Sequence, residues 1–266
     1  MTFRTGCACT IVASIALLSS ATASDEPVGW QFQDCPRDSV RAGTVCMDKY
    51  EASVWRTTNK RLIRKIRSGT VTLAELRNGG AAQVQFDDPE NPVVDCPYNG
   101  AGCKDLYAVS LRAVQPSNYL SWFQATAVAR NSWKRLPSNA EWQVAVLGTP
   151  DVPDDGALEC NTGDSPGPTL TGTRSRCVSD VGAFDMVGNV MELVSDWVPL
   201  STTCGDWIDF SDDLQCFAGA AVSGPPGALM RGGFAGDNAS AGPLSIRGNT
   251  HVVTASGGPI GFRAAR

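Results

Sequence analysis

The sequence predicts an α+β fold: a single loop-rich domain in which short strands and short helices alternate with long irregular connections. Three observations lead there. The length of 266 residues favours one large domain or two small ones. Apolar residues make up 42% of the chain, enough for a substantial core. Charged residues are only 18%, while 27 glycines and 16 prolines interrupt the chain, a balance that fits neither a helical bundle nor a disordered polymer. There is no internal repeat and no low-complexity tract.

The N-terminus reads as a secretory signal. Arg4 supplies the positive start, the run from Ile11 to Leu18 is apolar but too short to span a bilayer, and Ala21-Thr22-Ala23 fits small-x-small cleavage. Residues 1–23 are thus expected to be a signal peptide, 24–43 an N-terminal segment and 44–266 the domain, in a secreted or periplasmic product. Cys7 lies before the apolar run and does not suit a lipoprotein anchor. No later segment is apolar enough to be transmembrane. Losing Arg4 with the signal takes the net charge from -5 to about -6. An acidic chain lacks the basic footprint that phosphate backbones require, which argues against nucleic acid as a partner. The one basic cluster, Lys60, Arg61, Arg64, Lys65 and Arg67, reads as a solvated strand or loop face, with a polyanion-binding patch as the lesser alternative.

Of ten cysteines, Cys7 and Cys9 leave with the signal. The remaining eight form close couples flanked by turn residues, and an exported chain with an even count implies disulfides. The spacing predicts bridges Cys35–Cys46, Cys96–Cys103, Cys160–Cys177 and Cys204–Cys216. A zinc site is the weaker reading, because Cys-x-x-Cys is absent and His251 is the only histidine.

Along the domain, residues 44–55 read as a strand. Thr72-Leu-Ala-Glu75 is a capping-box pattern with Gly79 as a stop, so a short helix is expected there. Residues 86–104 read as a loop. Ser121-Trp-Phe-Gln124 is a second capping box, followed by Trp122, Ala125, Ala129 and Trp133 at helical spacing. Ser138-Asn-Ala-Glu141 is a third, opening a helix through about Leu147 that Gly148 stops. Pro150 to Asp180 is a long connection of Gly, Pro, Thr, Ser and Asp, of the kind that hosts function or an ion. From Met230 to Arg266, short strands mix with Gly-rich turns. Tryptophans 122, 133, 142 and 197 read as core anchors. Arg231 and Arg263 are expected to tie loops through carboxylates or carbonyls, and Glu141 to be both a cap and a partner for such an arginine.

Five blocks carry a family resemblance: Met47-Asp-Lys-Tyr-Glu51; Leu120-Ser-Trp-Phe-Gln-Ala125 with Lys134-Arg-Leu-Pro-Ser-Asn-Ala-Glu-Trp142; Gly182-Ala-Phe-Asp-Met-Val-Gly-Asn-Val-Met-Glu192 with Ser195-Asp-Trp197; Arg231-Gly-Gly233; and Ile260-Gly-Phe-Arg263. In this order they resemble the formylglycine-generating enzyme, or sulfatase-modifying factor, family. The resemblance implies a variant of the C-type lectin fold. It also implies a structural calcium held by the Asp185 and Glu192 side chains and the Gly188 and Val190 carbonyls, with Asn161, Thr162 and Asp164 as possible donors to a second one. Hard calcium suits such oxygen donors.

The chain departs from the family where its chemistry sits. Active relatives hold copper(I) with two cysteines after the Arg-Gly-Gly block, soft ligands for a soft ion. Here residues 231–247 contain no cysteine, Asp237 stands at the first position, and Phe234 replaces a small polar residue. A branch with an iron on three histidines is excluded by the single His251, which reads as a plain polar residue. No copper or haem is therefore expected. The resemblance implies a domain without oxidase activity whose pocket, lined by Asp237, Asn238, Ser240 and Arg247 with Trp197 as a wall, takes a peptide or small ligand. Two alternatives stand beside it: a periplasmic maturation enzyme like that for pyoverdine, and a lectin-like module for a protein or glycan. Asn238-Ala-Ser240 is in addition a glycosylation sequon.

Overall fold

The computed structural model describes residues 1, 34–86, 93–151, 158–199, 226–249 and 259–266. The expected signal peptide, the Cys204–Cys216 bridge and His251 lie outside the described residues. Contacts divide the chain into Met1–Gln33 and Asp34–Arg266, and the second unit carries every element below.

That unit opens with an antiparallel hairpin, β1 (Ser39–Ala42) and β2 (Val45–Asp48). The single strand expected over 44–55 is two strands, β2 and β3 (Ala52–Arg56). They are separated at Lys49-Tyr50-Glu51, where Glu51 turns inward and accepts from Asn189 Nδ2 at 2.5 Å and the Val190 amide at 3.1 Å. That demand comes from residues far along the chain, so the local β pattern cannot announce it. β3 is the middle strand of an antiparallel sheet with β4 (Ala82–Val84) and β5 (Leu106–Ser110).

The basic cluster is not a strand or loop face. It is helix α1 (Lys60–Arg67), started by Asn59, whose Oδ1 accepts from the Arg61 amide at 3.0 Å. Leu62 and Ile66, one turn apart, are buried against Trp55, Tyr107 and Val109, and the charges take the remaining positions. The three predicted capping boxes form as read, on α2 (Leu73–Asn78), α3 (Trp122–Asn131) and α4 (Asn139–Val146). The Ser or Thr hydroxyl accepts from the N3 amide while the N3 side chain accepts from the cap amide, each cap contributing about 1 kcal/mol.

Trp142 is fully buried, as expected of an anchor, and Trp122 and Trp197 are half-buried. Trp133 is not an anchor: it is 67% exposed. It follows the α3 cap Ser132 with φ +59°, and this left-handed residue swings the indole off the helical stripe that the spacing suggested.

A four-stranded sheet completes the unit: β6 (Met191–Pro199), β7 (Pro226–Arg231), β8 (Ile246–Asn249) and β9 (Ile260–Phe262), in the order β8-β7-β6-β9 with β9 parallel to β6. Both faces are covered. Leu193, Met230 and Phe262 face a core with α3, β3 and β5, whereas Val194 and Leu229 face a second core with the β1–β2 hairpin and α4. Alternation along each strand sends neighbours to opposite cores, and each fully buried side chain contributes about 1.5–3 kcal/mol.

Bridges Cys35–Cys46, Cys96–Cys103 and Cys160–Cys177 form as predicted. They place this chain in an oxidising environment. Among the described residues no helix is long and apolar enough to cross a membrane.

Candidate functional site

The block 182–192 leads into β6 and lies over a buried polar knot. Glu192, on β6, is opposite Gly261 of β9, which brings Arg263 beside it. Arg263 Nε donates to both Glu192 oxygens, at 2.8 and 2.9 Å. Its Nη1 donates to the Asp48 carbonyl at 2.9 Å and its Nη2 to the Phe184 carbonyl at 2.7 Å. Trp142 Nε1 donates to Glu192 Oε2 at 2.6 Å. Arg263 thus ties loops through a carboxylate and carbonyls, as expected. Arg231 does so too, donating to the Gln143 side chain and to the Pro243 carbonyl at 3.1 Å while covering the Trp142 ring at 4.5 Å. Glu141 is the expected cap, but its arginine is Arg135, at 2.6 Å.

The knot holds more carboxyl groups than the one cation of Arg263 could balance if all were ionised. Asp185 and Glu51 are buried in it with Glu192. Burial pushes the Asp185 carboxyl up to about 7, against the pull of the Gly172 amide, which donates to it at 2.6 Å, and of Arg263. Burial likewise holds the Glu51 carboxyl well above its usual range, helped by the charges of Asp185 and Glu192.

Two loops, around Asn161 and after Arg231, converge on this block and on each other. The Asn189 amide donates to the Asn161 carbonyl at 2.8 Å and the Gly188 amide to the Gly232 carbonyl at 3.0 Å. The Ala235 amide donates to the Asn189 carbonyl at 3.2 Å and the Asn238 amide to the Thr162 carbonyl at 2.8 Å. Two glycines permit the approach. A Cβ on Gly188 (φ +73°) would lie 2.3 Å from the Asn161 carbonyl oxygen, and one on Gly232 (φ +83°) 2.6 Å from that of Met186.

The loop after Arg231-Gly-Gly233 carries three of the residues named for a pocket, Asp237, Asn238 and Ser240, and Arg247 of β8 reaches the first of them. Asp237 Oδ2 accepts from the Phe234 amide at 3.1 Å, and Oδ1 lies 3.6 Å from Arg247 Nη2. Asn238 and Ser240 occupy a short 3-10 turn (Asn238–Ser240), with Asn238 exposed. Arg247 on β8 pairs in register with Met230, and its Nη1 lies 3.6 Å from Met191 Sδ. Trp197 pairs with Ala228, which pairs with Asn249, so its row is the next on the same sheet face, about 7 Å along β8. There its ring belongs to an aromatic cluster, 5.3 Å from Trp122 and 5.8 Å from Phe123.

The residues expected to hold calcium are partly engaged. Glu192 gives both oxygens to Arg263 and Trp142, and Asp185 gives one to Gly172. Asp164, named for a second ion, is paired with Arg174 at 2.5 Å. Asn161 offers something more. Its Nδ2 donates to the Gly167 carbonyl and to Asn189 Oδ1, which orients its buried Oδ1 away, without a hydrogen-bond partner. A buried amide oxygen without a partner fits the donor chemistry of calcium at the second, Asn161-containing position. Among the described residues no group of three or more His, Cys, Asp or Glu is placed to hold a metal, so carbonyl and amide oxygens would carry the coordination. The sequence reading missed Glu51 and Asn189 as members of this centre. An acidic residue inside the otherwise β-like 44–55 stretch was the available signal for Glu51.

The model of the sulfatase-modifying factor enzyme 1-like domain family matches residues 39–266. No curated protein matches the sequence. Among solved structures, the Major Tropism Determinant P3c variant is 16% identical, covering 86% of this chain and 52% of that one, with a TM-score of 0.45. CarF is 18% identical, covering 84% and 85%, with a TM-score of 0.42. PvdO from Pseudomonas aeruginosa is 18% identical, covering 84% and 80%, with a TM-score of 0.37. The chain spans about half the length of the Major Tropism Determinant variants it is similar to.

Proposed function

The chain belongs to the family of sulfatase-modifying factor enzyme 1-like domains, and from that premise we propose that it is an exported binding domain without copper oxidase chemistry. Its ligand is a peptide or small molecule held at the corner of Asp237, Asn238, Ser240 and Arg247. One observation carries the reading. At the position of the first copper cysteine, Asp237 accepts from the Phe234 amide and faces Arg247, so the loop is tied by an ion pair where the resemblance calls for a thiolate. A carboxylate beside a guanidinium recognises polar, charged ligand groups, and it offers copper(I) no soft donor.

Two measurements test this. Incubated with copper(I), oxygen and cysteine-containing peptides, the protein is expected to consume no oxygen and leave the thiols intact. Screened against a peptide library, it is expected to retain ligands that Arg247→Ala loses. Oxygen-dependent oxidation of a peptide cysteine would return the chain to the oxidases, and ligands indifferent to both Arg247→Ala and Asp237→Ala would remove the site.

A structural calcium at the central block is part of the proposal, supported by the buried carboxyls of Asp185 and Glu51, which burial disfavours as bare anions. Asp185, Gly188 and Val190 remain its proposed donors. Glu192 remains one only if calcium draws an oxygen from Arg263 or Trp142. Saturating calcium is expected to raise the melting temperature above that in chelator, and Asp185→Ala to abolish the difference. Equal melting temperatures would sink the ion.

A further inference from the structure

The chain is acidic, yet helix α1 carries Lys60, Arg61, Arg64, Lys65 and Arg67 with no acidic residue in its first turn. Its two flanks differ. On one, Lys65 is paired with Glu75 of α2 beside a cavity of about 250 Å³. On the other, Lys60, Arg64 and Arg67 recur at intervals of four and three, one stripe rising about 10 Å. Among the described residues neither Lys60 nor Arg64 has an ion-pair partner, and both are exposed.

The stripe ends at an aromatic surface. Arg67 Nε donates to the Asn131 carbonyl at 3.0 Å, and its guanidinium lies 4.9 Å from the centre of the Trp133 ring. Trp133, held in the left-handed conformation after α3, is 67% exposed. Its amide donates to the carbonyl of Arg130 at 3.0 Å, which fixes the backbone beneath the ring.

We propose that this patch is a second binding surface, for an anionic polysaccharide. Carboxylate or sulfate groups lie along Lys60, Arg64 and Arg67, and a sugar ring stacks on the indole of Trp133. Guanidinium forks match such anions in geometry as well as charge. A single exposed ring is ordinary on a protein surface; what marks Trp133 is the guanidinium of Arg67 beside it at the end of a basic stripe, a setting that suits a charged sugar better than an apolar segment. Trp133 is the only large apolar side chain exposed on this patch among the described residues. The others, such as Val94, Val144 and Leu158, belong to other segments, so the apolar area that membrane insertion requires is not assembled here.

Affinity electrophoresis of the disulfide-bonded protein through gels containing polygalacturonate, dextran sulfate or neutral dextran tests the proposal. Retardation is expected in one or both charged gels and not in the neutral one, and which charged gel retards it distinguishes carboxylate from sulfate as the anion. Lys60→Gln with Arg64→Gln is expected to weaken binding about tenfold and to lower the slope of log affinity against log salt by roughly two. Trp133→Ala is expected to weaken it comparably with the slope unchanged, because a stacked ring releases no counterion. Melting curves establish that both variants fold. No retardation at low salt, retardation that both variants keep, or tighter binding to phosphatidylglycerol vesicles than to either polysaccharide would overturn it.

Discussion

Arg263 shows how much of the centre depends on one side chain. It is fully buried, satisfied by Glu192 and two carbonyls, and stands against three carboxylates. Arg263→Met leaves those carboxylates without a cation, a change expected to cost about 3–5 kcal/mol in urea unfolding. Arg263→Lys keeps the charge but not the fork, and is expected to recover only part of the loss. The raised carboxyls make stability depend on pH in a definite direction. Asp185 has a folded pKa of about 7 and an unfolded one of about 3.9. Between those values the folded state holds a proton that the unfolded state has released, so this contribution is full below about pH 4 and is lost as pH rises through about 7. Asp48, raised to about 6 by burial against the pull of Lys134, acts in the same sense. In chelator the melting temperature is therefore expected to fall between pH 5 and pH 8, and Asp185→Asn to flatten that fall. A rise over this range, or an unchanged slope in the variant, would contradict the assignment.

Elements differed in how openly the sequence declared them. α2, α3 and α4 are started by contacts three residues apart, so their capping boxes were legible directly, and Ser121→Ala or Ser138→Ala is expected to cost about 1 kcal/mol in thermal unfolding. The local disulfides were legible for the same reason, and non-reducing peptide mapping is expected to recover the 35–46, 96–103 and 160–177 links. α1 was not legible as a helix. Asn59 caps it without a box, and a stripe of two fully buried residues in eight is too narrow to separate from a charged loop. The break after β2 and the outward turn of Trp133 escaped because each answers to distant or backbone geometry, not to neighbouring residue types. The candidate corner was half legible. Asp237, Asn238 and Ser240 share one turn because they are neighbours in sequence, whereas the Asp237–Arg247 pairing depends on the register of β8 against β7, which no local pattern states.

At the scale of the molecule, the two ends of the described unit are joined. Residues 263–266 run between the hairpin and the α3–α4 connection. The Asp48 amide donates to the Ala264 carbonyl at 2.8 Å, the Cys46 amide to the Arg266 carbonyl at 3.0 Å, and the Arg135 amide to the Ala265 carbonyl at 3.0 Å. Beneath them Lys134 Nζ bridges Asp38 at 2.8 Å and Asp48 at 2.6 Å, while Arg266 reaches Asp38 at 2.9 Å. Lys134→Met is expected to cost about 3–5 kcal/mol, because two buried carboxylates lose their shared cation. Deleting residues 263–266 is expected to abolish the cooperative melt, and hydrogen exchange should show β1 and β2 unprotected.

Of the residues described, those four are the last to leave the ribosome. Asp38, Asp48 and Glu192 are translated long before the chain supplies the arginines and backbone groups that complete their bonding. The nascent polypeptide must therefore keep the β1–β2 hairpin and the α3–α4 pair unsealed until residues 263–266 have emerged, and a product lacking them would be open, with exposed surface for chaperones and proteases to act on.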